Sequence, residues 1–416
     1  MDTYTIIGVL IIFTALSGYV NARFFKLPNT IGLMLVTLLY TLIVILLSYF
    51  DDSLLNAEIE LVSKIDFSKV LMDYMLSFIL FAGALHTDFQ QLKSQAWPIF
   101  FFATFGVLTS TFLIGSATYF LLPYLGISAK YTYCLLFGAL ISPTDPISVL
   151  GILKKANVPK KLEIKIVGES LFNDGVGVVI FLTLFSIASS AGNPINPVDI
   201  LELFGIEVIG GLVLGFVSGW IAVLMLKSID DFSTEIIITI ALVMFGTITA
   251  EKLHLSAPLA MVAAGLMLGN DKTRNKAMSD ETQFNLDKFW ELVDIILNSL
   301  LFVLIGMEIL VLTYNINYIL AGVIALPIVL LSRYLSLFLP VEIFKRKLDF
   351  VPYTKTIMTW GGLRGGISIA LALSLQDYME RDLFLIMTYI VVCFSILVQG
   401  LTIQKLVKRL LPTSGE

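Results

Sequence analysis

Residues Gly168 to Asp174 read Gly-Glu-Ser-Leu-Phe-Asn-Asp, placing two carboxylates, an amide and a hydroxyl in the middle of a long apolar run. A charged side chain at a bilayer centre costs roughly 2.5–3.5 kcal/mol even on the lenient insertion scale. Two such groups in so short a stretch point to an ion or proton pathway. A second apolar run is interrupted by Ser142, Pro143, Thr144, Asp145 and Pro146. The prolines lack the N–H groups that would bond the carbonyls of Ala139 and Ser142, and each pushes the residue before it out of helical geometry. Thr144 and Asp145 are therefore expected on an unwound stretch whose free carbonyls face a cavity, because irregular backbone at membrane depth is tolerated only inside protein or beside water. The alternative is a proline kink with a capped, buried Asp.

Helical geometry separates the two acids of the first motif. Ser170 and Asp174 are four apart and share a face, as do Glu169 and Asn173. Glu169 and Asp174 point about 140° apart by the same arithmetic. One acid can line a cavity while the other meets a counter-charge. Two arginines inside apolar runs are the candidates: Arg333, within Leu330 to Leu337, and Arg364, flanked by Gly361, Gly362, Gly365 and Gly366. The glycines mark a second broken helix, where backbone can approach closely or unwind. Snorkelling to the interface is excluded more firmly for Arg333, which has a long apolar stretch on its nearer side, than for Arg364.

The elements that must position these residues are membrane spans. The chain has 416 residues, of which 57% are hydrophobic and 14% charged, whereas a soluble domain carries about 25% charged residues. The expected class is an all-α polytopic membrane protein. At about 20 apolar residues per span, thirteen segments are expected, near 4–22, 30–50, 69–86, 96–122, 130–153, 162–190, 199–227, 233–252, 256–270, 288–313, 316–342, 354–376 and 382–407. The first has no basic residue before it and Arg23 and Lys26 after it, the opposite polarity to a cleavable signal. With the N-terminus outside and the C-terminus cytoplasmic, the cytoplasmic side holds 20 basic residues and the other side 5, in keeping with the positive-inside rule. No soluble domain is expected, and the longest polar stretch, 270–288, reads as one cytoplasmic loop. Cys134 and Cys393 sit in apolar runs and suit packing rather than a disulfide framework or zinc site. His86 and His254 sit near span ends, and a pH-sensor role for either is one reading of the sequence.

The broken fifth and twelfth spans are seven apart, so spans 1–6 and 8–13 are expected to form inverted six-helix repeats around span 7, with the two discontinuous helices crossing at the midplane.

The segments Ser142 to Pro146, Gly168 to Asp174 and Gly361 to Gly365 resemble the signature segments of the sodium–proton antiporters, in the branch holding the NhaP-type antiporters and the animal sodium–proton exchangers. The resemblance covers essentially the whole chain. It implies a homodimer in a cell membrane, with a dimerisation domain from 1–90 (spans 1–3) and 193–314 (spans 7–10). It also implies a mobile core transport domain from 91–192 (spans 4–6) and 315–416 (spans 11–13). It implies that Asp174 alternately holds a cation or a proton, supported by Asn173 and Asp145. Ser170 and Thr144 would contribute oxygens to the Na+ site, Glu169 and Arg333 would form a structural ion pair, and Arg364 would balance charge at the helix crossing. One departure stands out: many relatives carry a Glu in the third span where this chain has Ala82.

The chemistry follows from the oxygen set. Hard cations take carboxylate, hydroxyl, carbonyl and water ligands, and burial disfavours the charged form of a carboxylate. Proton and cation then compete for one site. The expected activity is exchange of Na+ or Li+ for H+, one for one and electroneutral, with K+/H+ exchange as the alternative. No cofactor, enzymatic activity or nucleic-acid partner is expected. A cation channel would need a filter loop or charged ring, which the sequence lacks. An intramembrane aspartyl protease would leave Arg333 and Arg364 without a task.

Overall fold

The computed structural model of the chain describes residues 3–87, 89–145, 158–189, 197–312, 315–345 and 350–411. The second half of the expected fifth span, with Pro146, lies outside them, as do Lys154, Lys155, Arg346 and Lys347. Among the described residues every regular element is helical. Ten helices are long and apolar enough to cross a bilayer: Tyr4–Phe25, Asn29–Ser48, Phe67–Leu85, Ala96–Leu125, Lys160–Ser189, Gly205–Leu226, Phe232–Lys252, Asp280–Val311, Ile316–Phe344 and Arg381–Leu410. Two shorter apolar helices, Tyr131–Ile141 and Ala257–Leu268, stand where the fifth and ninth spans are expected. Helices Thr354–Trp360 and Gly366–Leu373 fill the twelfth on either side of a break.

Polar caps set several boundaries. The side chains of Asp231, Ser256, Ser279 and Asn315 accept hydrogen bonds from the backbone N–H groups of Thr234, Leu259, Thr282 and Asn317. These bonds satisfy donors that a helix leaves open at its first turn. The apolar faces between caps are too uniform to be amphipathic, as expected of helices that meet lipid on one side and protein on the other. Exposed Ile237, Phe245 and Trp220 are such outward residues.

Two cores result. The larger joins the helices around the broken segments, with Phe137, Leu171, Leu363 and Phe384 fully or almost fully buried. The smaller gathers Phe81, Ala82, Val243, Met261 and Trp290. Its tightest contact is a small-residue seam. Gly211 and Gly219 of Pro197–Leu226 lie so close to Ser256 and Ala264 that an added Cβ would fall 2.6 Å from the Ser256 oxygen and 3.2 Å from the Ala264 Cα. Without a hydrophobic drive between helices in lipid, such backbone approach is what holds them. Lys165 is buried on helix Lys160–Ser189, its ammonium 4.5 Å from the Phe350 ring centroid.

Candidate functional site

Helix Tyr131–Ile141 stops at the first proline, and 143–145 continue without helical bonds. Helix Thr354–Trp360 stops at the glycine cluster, and 362–365 are irregular until Gly366. The two irregular stretches meet, with the Asp145 N–H donating to the Leu363 carbonyl at 2.7 Å. Arg364, 2% exposed, turns its Nη1 to donate to the carbonyls of Ser142 and Pro143. The Ser142 carbonyl, one of those expected to open on a cavity, is thus capped by a guanidinium. A buried cation there also faces the negative end of helix Tyr131–Ile141, which offsets part of its desolvation. Gly365 makes the meeting possible: an added Cβ would lie 2.8 Å from both Cβ and Oδ2 of Asp145.

Helix Arg381–Leu410 holds the break from behind. The Arg364 N–H donates to Ser395 Oγ at 2.8 Å, and Gln399 Nε2 donates to the Trp360 carbonyl at 3.1 Å. Trp360 Nε1 donates to Thr402 Oγ1 at 2.8 Å. Ser395 and Gln399 bound a π-helical turn, a local widening common at functional sites. Sequence reasoning missed these residues. Their signal was present, because Ser395 and Gln399 are polar and four apart in an otherwise apolar stretch.

Helix Lys160–Ser189 presents its polar residues to different neighbours. Glu169 accepts two bonds from Arg333, Nη1 to Oε1 at 2.5 Å and Nη2 to Oε2 at 2.7 Å, with side-chain exposures of 1% and 3%. Asn173 grips the unwound Thr144: Oδ1 accepts the Thr144 N–H at 3.2 Å and Nδ2 donates to Thr144 Oγ1 at 2.9 Å. Ser170 Oγ lies 2.8 Å from the same hydroxyl. These two polar residues therefore fix the broken stretch from successive turns.

Asp174 is 3% exposed, and among the described residues it accepts no hydrogen bond and forms no ion pair. It lines a cavity of about 30 Å³ together with Asp145, Pro143, Gly365 and Ser368. A water needs roughly 10–15 Å³ of such space, so the cavity suits one or two waters or a single dehydrated cation. Its remaining walls include Leu71, Leu80, Leu171 and Leu301. Two carboxylates and the Ser368 hydroxyl give the cavity hard-ion donors, whereas Ser170 and Thr144, bonded to one another, are not among the residues that line it. Among the described residues no group of three or more His, Cys, Asp or Glu could hold a metal ion. Ala82 packs in the smaller core, while its neighbour Gly83 lines the cavity.

Fold and site together define a polytopic membrane transporter rather than an enzyme. The chain belongs to the sodium/hydrogen exchanger family, whose transmembrane model matches residues 10–409. It is 49% identical to the Na+/H+ antiporter NhaP of Pseudomonas aeruginosa, over 97% of this chain and 96% of that protein. It is 35% identical to the Na+/H+ antiporter NhaH of Halobacillus dabanensis over the same shares of the two chains. Among solved structures it superposes on the sodium proton antiporter MjNhaP1 of Methanocaldococcus jannaschii with a TM-score of 0.75 at 20% identity, covering 99% of this chain and all of that one. That likeness concerns the fold.

Proposed function

We propose that this chain exchanges Na+ or Li+ for H+ across a cell membrane by alternating access, and that Asp174 is the transport site. The observation that carries the reading is the state of Asp174: a carboxylate withdrawn from water, without a hydrogen-bond donor or ion-pair partner among the described residues, beside a cavity sized for one small ion. An isolated buried charge is too costly to leave uncompensated. Either a proton or a cation must neutralise it before the site crosses the membrane, and the two compete. Asp145 shares the cavity with Asp174, Ser170 and Thr144 are the further oxygens of the proposed site, and Asn173 keeps Thr144 in place. Glu169 and Arg333 satisfy one another and carry no ion. Arg364 balances the ends of the broken helices. One exchangeable site then gives one-for-one, electroneutral exchange.

The same reading divides the chain into a mobile core, 91–192 with 315–416, and a static domain, 1–90 with 193–314, through which two copies associate. Thirteen spans, N-terminus outside and C-terminus inside, complete it, with inverted repeats and two crossed, broken helices. The smaller hydrophobic core draws only on residues of the static set, whereas the larger spans both sets.

Purified protein in liposomes carrying a pH gradient tests this. Sodium or lithium should collapse the gradient saturably and independently of a clamped voltage, and Asp174→Ala should be inactive. Full exchange by Asp174→Ala would refute the site, and voltage-dependent rates would refute electroneutrality.

A further inference from the structure

Asn298, on helix Asp280–Glu308, lines the cavity of Asp174 and is 4% exposed. Its Nδ2 donates twice, to the Asp294 carbonyl at 2.8 Å and to Asp294 Oδ1 at 2.9 Å. Only an amide nitrogen can make both bonds, so the pair of acceptors fixes which way the side chain faces. Its Oδ1 is left over, and among the described residues it accepts nothing. The other described residues that line the cavity from outside the proposed core, including Leu71, Leu80 and Leu301, are apolar or glycine. An amide oxygen that no protein donor occupies is available to an ion in the cavity.

We infer that Asn298 is a cation ligand, its amide oxygen completing the Asp174 site from the opposite wall and held in that orientation by Asp294. The ligand is a small, hard monovalent cation, which takes neutral amide oxygens as readily as carbonyls. The inference rests on the transport reading of Asp174 and adds to it. Asn298 belongs to the static set, so the cation has this ligand only while core and static domain meet here. Asn298 also supplies an oxygen from the static side, where Ala82 supplies none.

The test uses the full chain in liposomes and in detergent, with choline replacing sodium at constant ionic strength. Asn298→Ala should raise the sodium concentration for half-maximal exchange by about tenfold, the scale of one lost contact to a charge. Its maximal rate and its melting temperature without sodium should stay unchanged. Asn298→Leu, which keeps the volume and loses the oxygen, should show the same rise; it decides the matter if Asn298→Ala does not fold. Asp294→Leu removes the side-chain acceptor and keeps the main-chain one, so it should raise half-saturation by less than Asn298→Ala does. Unchanged half-saturation in Asn298→Ala, or a loss confined to maximal rate, overturns the inference. Should the natural chain show no sodium dependence, or Asp174→Ala retain it, the transport reading itself falls. Sodium-indifferent Asn298 variants beside an inactive Asp174→Ala remove this inference alone.

Discussion

Replacing Glu169 with alanine leaves Arg333 charged and sealed from water. The guanidinium is 3% exposed and both of its carboxylate bonds, at 2.5 and 2.7 Å, are lost together. No second acid is bonded to it among the described residues, and its Nε already has no partner. Breaking such a pair from one side costs about 3–5 kcal/mol, because the remaining charge stays buried. Removing both charges is a different perturbation: a Glu169→Leu, Arg333→Met double variant keeps the volume and leaves nothing to solvate, so most of that loss should return. Melting temperatures of the purified protein, with the natural chain, both single variants and the double compared, read this directly. Transport supplies the second readout. In the proposed division of roles Glu169 is a strut and holds no ion, so the double variant should keep the natural sodium concentration for half-maximal exchange. A Glu169→Ala variant within about 1 kcal/mol of the natural chain would show that the charge is not isolated. A double variant as unstable as the single one, or with altered sodium dependence, would refute the separation of strut from site.

Four further outcomes follow from other parts of the fold. Gly365→Ala would drive its methyl group against the Asp145 carboxylate at 2.8 Å, so exchange should fall steeply while the protein still inserts and purifies. Arg364→Lys keeps the charge but not the fork of donors that spans the Ser142 and Pro143 carbonyls; maximal rate should drop at least tenfold, about the effect of one lost charged contact, as measured by proton flux. Trp290→Phe removes the 3.0 Å bond to Thr239 in the smaller core and should cost about 1 kcal/mol of stability without changing sodium dependence. The proposed competition at Asp174 also fixes a sign: as pH falls the proton should occupy the site, so more sodium is needed for half-maximal exchange, and a pH-independent requirement would contradict a shared site.

The sequence alone determined the helical, membrane-spanning class, because uninterrupted apolar runs of span length have no other stable form in lipid. It also marked where chemistry would sit, since prolines, glycines and buried charges are expensive inside such runs and stand out against them. The divergence of Glu169 from Asp174 was readable because it depends only on helical pitch. Which neighbour each residue meets was not. That Arg364 caps the Ser142 carbonyl, that Asn173 grips Thr144 on both its N–H and its hydroxyl, and that Ser395 and Gln399 brace the second break are contacts between segments far apart in the chain. Asp294 and Asn298, polar and four apart in an apolar stretch, were a visible pair, but that Asn298 lines the same cavity as Asp174 is a matter of packing. Local periodicity and the cost of burying polar groups decide which residues must face protein, whereas tertiary packing alone decides which oxygens come to share one cavity.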